Sequence, residues 1–182
     1  AENPNLAVTL RTDYRSLNLS RREADIALRM VRPKQGNLLI RKVGEMGFGL
    51  YAHASYLNAA PRLEKESDLI DHRLLDWAED YPLVSVIGWL RRRVKLDDSH
   101  FNADSAFARI AGAKAGMGIA LLPHVLAKMH RELQRVASHI RIPNADIWLV
   151  THKDSAKIPR IRAAMEFVTE AIRENQMSLT GD

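Results

Sequence analysis

The sequence predicts an α/β fold, and three observations carry that prediction. Short apolar runs alternate with helical patterns along the chain. The clearest helical pattern, at residues 158–175, follows a four-residue apolar run at 147–150. Hydrophobic residues make up 46% and charged residues 27% of the 182 residues, which is typical of a folded globular protein. Because strands that alternate with helices are usually joined by helical crossovers, we expect a mostly parallel sheet.

The first third of the chain is predicted to contain mainly strands, each an apolar or alternating run next to turn residues. The predicted strands are residues 6–10, 24–29, 38–43 and 48–52. The run at 24–29 has the pattern of a parallel strand that is buried on both faces. Residues 16–23 are compatible with a helix, and a short helix at 54–59 is expected to end before Pro61.

The rest of the chain contains the stronger helical signals. Residues 83–90 are predicted to form a strand, and 94–96 a second one. An amphipathic helix is expected at 102–115, capped by Asn102 or Asp104 and ended by Gly116, where a left-handed backbone is least costly. The remaining predicted elements are a buried strand at 118–122, a helix that starts at Pro123, a strand at 147–150 and a helix at 158–175.

Composition argues against several classes of function. The chain has no cysteine, which excludes disulfides and thiolate metal sites. The formal net charge is +5, but the basic residues are scattered, and the one local run, Arg91 to Arg93 with Lys95, is interpreted as a solvated face or turn. Aromatic residues make up only 6%, too few to suggest a base-stacking platform. We therefore expect that this chain does not itself bind nucleic acid, and no stretch has the length of a membrane helix.

The sequence contains no motif for catalysis or for a cofactor. His124 and His130 are six residues apart and do not have the i, i+4 spacing that chelates a metal on a helix. GxSxG is absent, and the glycine pairs Gly47–Gly49 and Gly116–Gly118 do not extend into a nucleotide-binding loop. The expectation is a protein with no metal, no cofactor and no enzymatic activity.

One segment has the chemistry of a ligand site. Residues 101–106 lie where a strand is expected to pass into a helix, and ligands of α/β sheets bind at such ends. The free amides at a helix start attract anions, and Ser105 adds a hydroxyl. Arg29 ends another predicted strand and is a candidate for the same crevice. The alternative is that Asn102 or Asp104 only caps the helix and that Arg29 is solvated, and the residues alone leave both open.

Five motifs, in order along the chain, resemble those of LysR-type transcriptional regulators. They are READIALR at 22–29, the strand at 39–43, YAHASYL at 51–57, AGAKAGMGIALLP at 111–123, and the ending IWLVTHKD with PRIRA between 147 and 163. The resemblance is to the effector-binding half of the family. It implies a type 2 periplasmic-binding-protein-like fold with two lobes, joined by two crossing strands, and a small-molecule effector bound between the lobes.

The resemblance also implies how the domain is organised. Residues 1–49 with 144–182 would form the first lobe, and residues 50–143 the second. The winged helix-turn-helix that binds DNA in this family is absent from the chain, and the first strand and helix of the domain are expected to be missing. The family likeness implies a bacterial, cytoplasmic regulator that forms a homodimer or tetramer, with the helix at 104–115 in the dimer interface.

The free amides of the helix start and the charge of Arg29 indicate that the effector is small and anionic or carboxylate-bearing. The residues expected to contact it are Tyr14, Arg29, Asn102, Asp104, Ser105 and Leu122. If Asp104 is the helix cap, its carboxylate satisfies the free amides, and a neutral or amine-bearing effector becomes the better choice. The alternative function is a periplasmic solute-binding protein of a transporter, which shares the fold. An enzyme of this fold is a more distant alternative, since the crevice lacks a recognisable acid or nucleophile.

Overall fold

The computed structural model describes residues 6–12, 19, 23–34, 36–77, 85–94 and 101–181. Contacts divide the chain into two compact units, one of Ala1–Gly44 with Ile147–Glu174 and one of Glu45–Asp146 with Asn175–Asp182. The lobe boundaries expected from the sequence, 1–49 with 144–182 and 50–143, stay a proposal.

The strands are β1 (Ile26–Arg29), β2 (Leu38–Met46), β3 (Phe48–His53), β4 (Leu74–Asp76), β5 (Phe101–Asn102), β6 (Ile119–Pro123), β7 (Leu133–Val136) and β8 (Ala145–His152). The α-helices are α1 (Ala54–Leu57), α2 (Ser85–Arg91), α3 (Ala106–Lys114), α4 (His124–Ala127), α5 (Pro159–Glu174) and α6 (Gln176–Thr180). Two short 3-10 helices lie at Glu66–Asp71 and Ser155–Lys157. No helix among these described residues is long and apolar enough to cross a membrane.

A three-stranded sheet has the order β1-β8-β2. β1 runs antiparallel to β8, with Arg29 opposite Trp148, and the Thr151 hydroxyl donates to the carbonyl oxygen of Asp25 at 2.7 Å. The prediction that β1 is a parallel strand buried on both faces is therefore wrong. β1 has a single neighbour among the described strands, and this position leaves Leu28 exposed.

The second sheet has five strands in the order β5-β4-β6-β3-β7. β4 is parallel to β5 and β6, whereas β3 is antiparallel to both of its neighbours. The sheet is therefore mixed, and the expectation of a mostly parallel sheet is wrong because β3 runs against β6 and β7. β3 and β6 are almost completely buried, and their side chains join those of α3 in one core cluster, which includes Tyr51, Leu75, Ile110, Ala113, Ala120 and Leu122.

Two predicted strands in the described chain are wrong. Residues 85–91 form α2, whose buried Val86, Ile87, Trp89 and Leu90 repeat at helical spacing on one face. β-branched residues gave this segment the look of a strand, but burial of one helical face determines its structure. Residues 6–12 form neither helix nor strand and are mostly exposed, since no described strand pairs with them. Of the strand predicted at 94–96, the structure describes only Val94, which is a buried bend and not part of a strand.

The other predictions agree with the structure within a few residues. β2, β3, β6, β8, α1 and α5 lie where the sequence places them. Gly116 follows α3 with φ of +73°, the left-handed conformation expected at a helix end. Pro123 is the last residue of β6 and the N-cap of α4. The predicted helix at 16–23 lies outside the described residues, except for Leu19 and Glu23.

Candidate ligand site at the end of the parallel strands

Three parallel strands of the five-stranded sheet end at one edge. β5, β4 and β6 are adjacent, with Asn102 paired with Asp76 and Leu75 paired with Ala120. Leu122 lies two residues beyond Ala120, so it is level with Trp77, the first residue after β4. This register brings the predicted residues Asn102 and Leu122 to the carboxyl ends of parallel strands, which is where ligands bind in α/β sheets.

Ser105 is the N-cap of α3 and lies three residues after the end of β5. Its backbone is extended, and its hydroxyl accepts a hydrogen bond from the backbone N–H of Ala108 at 3.4 Å. The expectation that Asn102 or Asp104 caps this helix is wrong, because Asn102 still belongs to β5 and the cap is Ser105. Asp104 is exposed and is not the cap, so its carboxylate is not used to satisfy the helix amides.

A buried arginine and tryptophan lie beneath this strand-to-helix turn. The Arg109 guanidinium carbon is 3.7 Å from the centre of the Trp77 ring, and Nη1 of Arg109 donates to the carbonyl oxygen of Ala103 at 2.5 Å. Arg109 is 2% exposed and Trp77 is 4% exposed. Neither residue was identified from the sequence. The available signal was an arginine on the apolar face of the helix, one residue before Ile110.

A second arginine holds the end of β4. Nε and Nη2 of Arg91 each lie 3.3 Å from Oδ2 of the buried Asp76, and Nη2 also donates to the carbonyl oxygen of Trp77 at 3.2 Å. Arg93 donates to the carbonyl oxygen of Trp89 and forms an ion pair with Glu66. The expected solvated face or turn holds in part: Arg92 and Arg93 lie in a turn and Arg92 is exposed, whereas Arg91 ends α2 and its guanidinium binds Asp76.

The predicted site residues fall into three groups. Asn102, Asp104, Ser105 and Leu122 lie at the edge described above, where Asn102 and Asp104 are exposed, Ser105 is half-buried and Leu122 is wholly buried in the core cluster. Arg29 ends β1 in the other compact unit and is half-buried. Tyr14 lies outside the described residues. Effector contact by each of these six residues stays a prediction.

His124 belongs to the buried core of the five-stranded sheet's unit. His124 is buried, and its Nδ1 lies 2.6 Å from the Tyr51 hydroxyl. Burial raises the pKa of the Tyr51 phenol, and the charge of Arg135 opposes that effect. Within the described ranges no group of three or more histidine, aspartate or glutamate side chains is placed to hold a metal ion.

Comparisons with known proteins identify relatives of the whole chain. The sequence model for the LysR substrate binding domain matches residues 1–173. The Mau operon transcriptional activator of Paracoccus denitrificans is 45% identical over 186 residues, which cover 98% of this chain and 58% of that protein. The chain therefore spans little more than half the length of this relative.

Solved structures share the fold at low sequence identity. The regulatory domain of CrgA, a LysR-type regulator of Neisseria meningitidis, has a TM-score of 0.68 with 21% identity and covers 88% of this chain and 80% of its own. The regulatory domain of the C227S variant of AphB from Vibrio vulnificus has a TM-score of 0.69 with 23% identity over 93% of this chain and 86% of its own. Both support the two-sheet, type 2 periplasmic-binding-protein-like fold that the motifs imply.

Proposed function

Because the chain belongs to the LysR substrate-binding domain family, we propose that it is the ligand-sensing part of a DNA-binding regulator. A small effector binds the sensing part, shifts its conformational population and changes the arrangement of an oligomer. A separate winged helix-turn-helix domain binds DNA. The protein acts in the cytoplasm, where its DNA target lies, and it releases its effector unchanged, since its role is sensing and not turnover.

The observation that carries the proposed binding site is the shared edge of β5, β4 and β6. The Asn102 amide, the Ser105 hydroxyl and the start of α3 lie within four residues of one another at this edge. Asn102 offers a donor and an acceptor, and the positive end of α3 favours an anion by about 0.3–1 kcal/mol at an exposed site. We propose that one end of the effector binds here.

The capping of α3 by Ser105 favours an anionic effector. Had Asp104 been the cap, its carboxylate would have neutralised the helix start and repelled an anion. Its exposed position instead leaves the helix start positive, and the carboxylate is available at the rim to pair with a donor on the effector. A small carboxylate, with or without an amine or hydroxyl, therefore fits this edge best. Arg29 is the second positive charge that the sequence offers as an effector contact, and that contact stays a prediction.

We propose that the regulator is a homodimer or tetramer that uses the exposed face of α3. Phe107 on this helix is 68% exposed, and Ala111, one turn later, is also exposed. An exposed phenylalanine beside a small residue suits a helix that packs against a second copy. The alternative of a transporter's solute-binding protein is disfavoured by the family match.

A thermal-shift screen followed by calorimetry tests the proposed binding site. The probes are acetate, succinate, glycine and ethanolamine, because a ligand that binds the folded state raises the melting temperature. We expect succinate or acetate to bind, with affinity reduced about tenfold in Ser105→Ala and in Arg29→Ala by loss of a charge-assisted hydrogen bond.

Two variants serve as controls for this test. Ser105→Thr keeps both the cap and the hydroxyl and is expected to bind nearly as well as the wild type. Ser178→Ala changes an exposed serine of the last helix and is expected to have no effect. Unchanged affinity in both Ser105→Ala and Arg29→Ala would place the site elsewhere.

A further inference from the structure

We infer that Trp77 and Arg109 are positioning residues that hold the strand-to-helix turn at residues 102–105 in its ligand-binding geometry. This inference rests on the proposed function, since it concerns the turn that carries Asn102 and Ser105. Neither residue is expected to touch the effector, because both are almost completely buried. Their effect passes through the backbone of Ala103.

Ala103 is held on both of its backbone polar groups. Its N–H donates to the carbonyl oxygen of Asp76 at 2.9 Å, and its own carbonyl oxygen accepts from Nη1 of Arg109. The two neighbours of Ala103 along the chain are Asn102 and Asp104, and Ser105 follows. Because a turn can move only if its central backbone hydrogen bonds break, the Arg109 contact fixes the direction in which these side chains leave the sheet.

The Trp77 ring explains how a guanidinium is tolerated at this depth. A buried cation is unfavourable without compensating contacts, and tryptophan provides the most favourable aromatic face for a cation. The centre of its ring lies 3.7 Å from the guanidinium carbon, which is close stacking. The stacked ring also restricts Arg109 to the rotamer that reaches Ala103.

The backbone of Trp77 is held by a second arginine, Arg91 of α2. Nη2 of Arg91 donates to the Trp77 carbonyl oxygen while the same guanidinium binds the carboxylate of Asp76. The resulting connection runs from α2 through the end of β4 to Arg109 on α3, and from there to the turn. Neither Trp77 nor Arg109 belongs to the apolar cluster around Leu122 and Ile110, so the strands β3 and β6 of that cluster can serve as an internal reference.

Substitution of Trp77 tests this inference without any ligand. Trp77→Leu removes the aromatic face and keeps an apolar side chain, whereas Trp77→Phe keeps a ring. Residue-resolved hydrogen exchange by NMR should show the amides of Ala103 and Ala108 exchanging about tenfold faster in Trp77→Leu. In Trp77→Phe we expect a change of no more than about threefold, because a smaller ring still stacks on the guanidinium. Amides of the β3–β6 ladder are the internal reference and should change little in either variant.

Two results of the exchange measurement would overturn the inference. Uniformly faster exchange, including the β3–β6 amides, would mean that Trp77 contributes only to global stability. Equal exchange of Ala103 in Trp77→Leu and the wild type would mean that the ring does not hold the turn.

Succinate titration of the same three proteins separates this inference from the proposed function. We expect Trp77→Leu to bind succinate about tenfold more weakly and Trp77→Phe to bind as the wild type does. Unchanged succinate affinity in Trp77→Leu would overturn the positioning role and leave the proposed function standing. Failure of the wild type to bind succinate would count against the proposed anionic effector, and the exchange measurement would then decide the positioning role by itself.

Discussion

The Tyr56 hydroxyl lies 3.2 Å from Nδ1 of His72, and both side chains are buried. The backbone N–H of Arg73 donates to the same hydroxyl at 2.9 Å. The Tyr56 hydroxyl therefore joins the backbone of Arg73 to the His72 ring through two hydrogen bonds. Burial lowers the pKa of His72, and the nearby carboxylates of Asp71 and Asp68 oppose that effect.

This pair predicts a loss of stability in mild acid. The folded-state pKa of His72 is below its ordinary value of about 6.5, so the unfolded chain takes up a proton first as the pH falls. The contribution of His72 to the free energy of unfolding is fully present above a pH of about 6.5. It declines as the pH drops from there towards the folded-state pKa. Urea unfolding over a pH series should show a smaller decline in His72→Phe, which cannot titrate. If the free energy of unfolding falls equally with pH in the wild type and in His72→Phe, this prediction is contradicted.

Gly116→Ala is expected to destabilise the protein by about 1–2 kcal/mol. Gly116 has φ of +73°, and a side chain in the left-handed region clashes with its own backbone. The added Cβ would also lie 2.6 Å from the Ser55 hydroxyl oxygen, although that short side chain can rotate away. Denaturant unfolding of Gly116→Ala, with and without Ser55→Ala, separates the two effects. Full rescue by Ser55→Ala would show that backbone strain contributes nothing.

Arg91→Met is expected to destabilise the protein by about 3 kcal/mol, because it leaves the Asp76 carboxylate buried without its cation. The other carboxylate oxygen of Asp76, Oδ1, has no hydrogen-bond partner among the residues that the structure describes. The double variant Asp76→Leu/Arg91→Met removes both charges and should unfold within about 1 kcal/mol of the wild type. Urea unfolding measures each variant, and a single Arg91→Met variant as stable as the wild type would argue against a structural ion pair.

The sequence predicts those parts of the fold that local pattern determines. The alternation at β2, the buried run at β6 and the glycine after α3 each identify an element within a few residues of its position. It does not predict strand direction, which depends on which segments pair over long distances: β1 looked parallel and is antiparallel to β8. It also fails at α2, where Val86 and Ile87 have strand preferences but pack one helical face into the core.

The candidate site is predictable only in part, for a related reason. Asn102 and Ser105 were found because the start of a helix after a strand has a local signature. Trp77 is 32 residues from Arg109 along the chain, and no local pattern joins them. The role of Arg91 was hidden in the same way, since its position in a basic run suggested solvent while its partner Asp76 lies in a buried strand.

The proposed site is tested most directly by NMR chemical-shift mapping with the first probe that raises the melting temperature. We expect the largest backbone amide shifts at residues 102–106, with smaller shifts at Asp76 and Trp77. The compact unit that contains residues 102–106 also has an open groove, lined by Leu57, Leu63, Val136 and Ala137, where a ligand could bind instead. Shifts concentrated along that groove, with residues 102–106 unchanged, would contradict the proposed site at the end of the parallel strands.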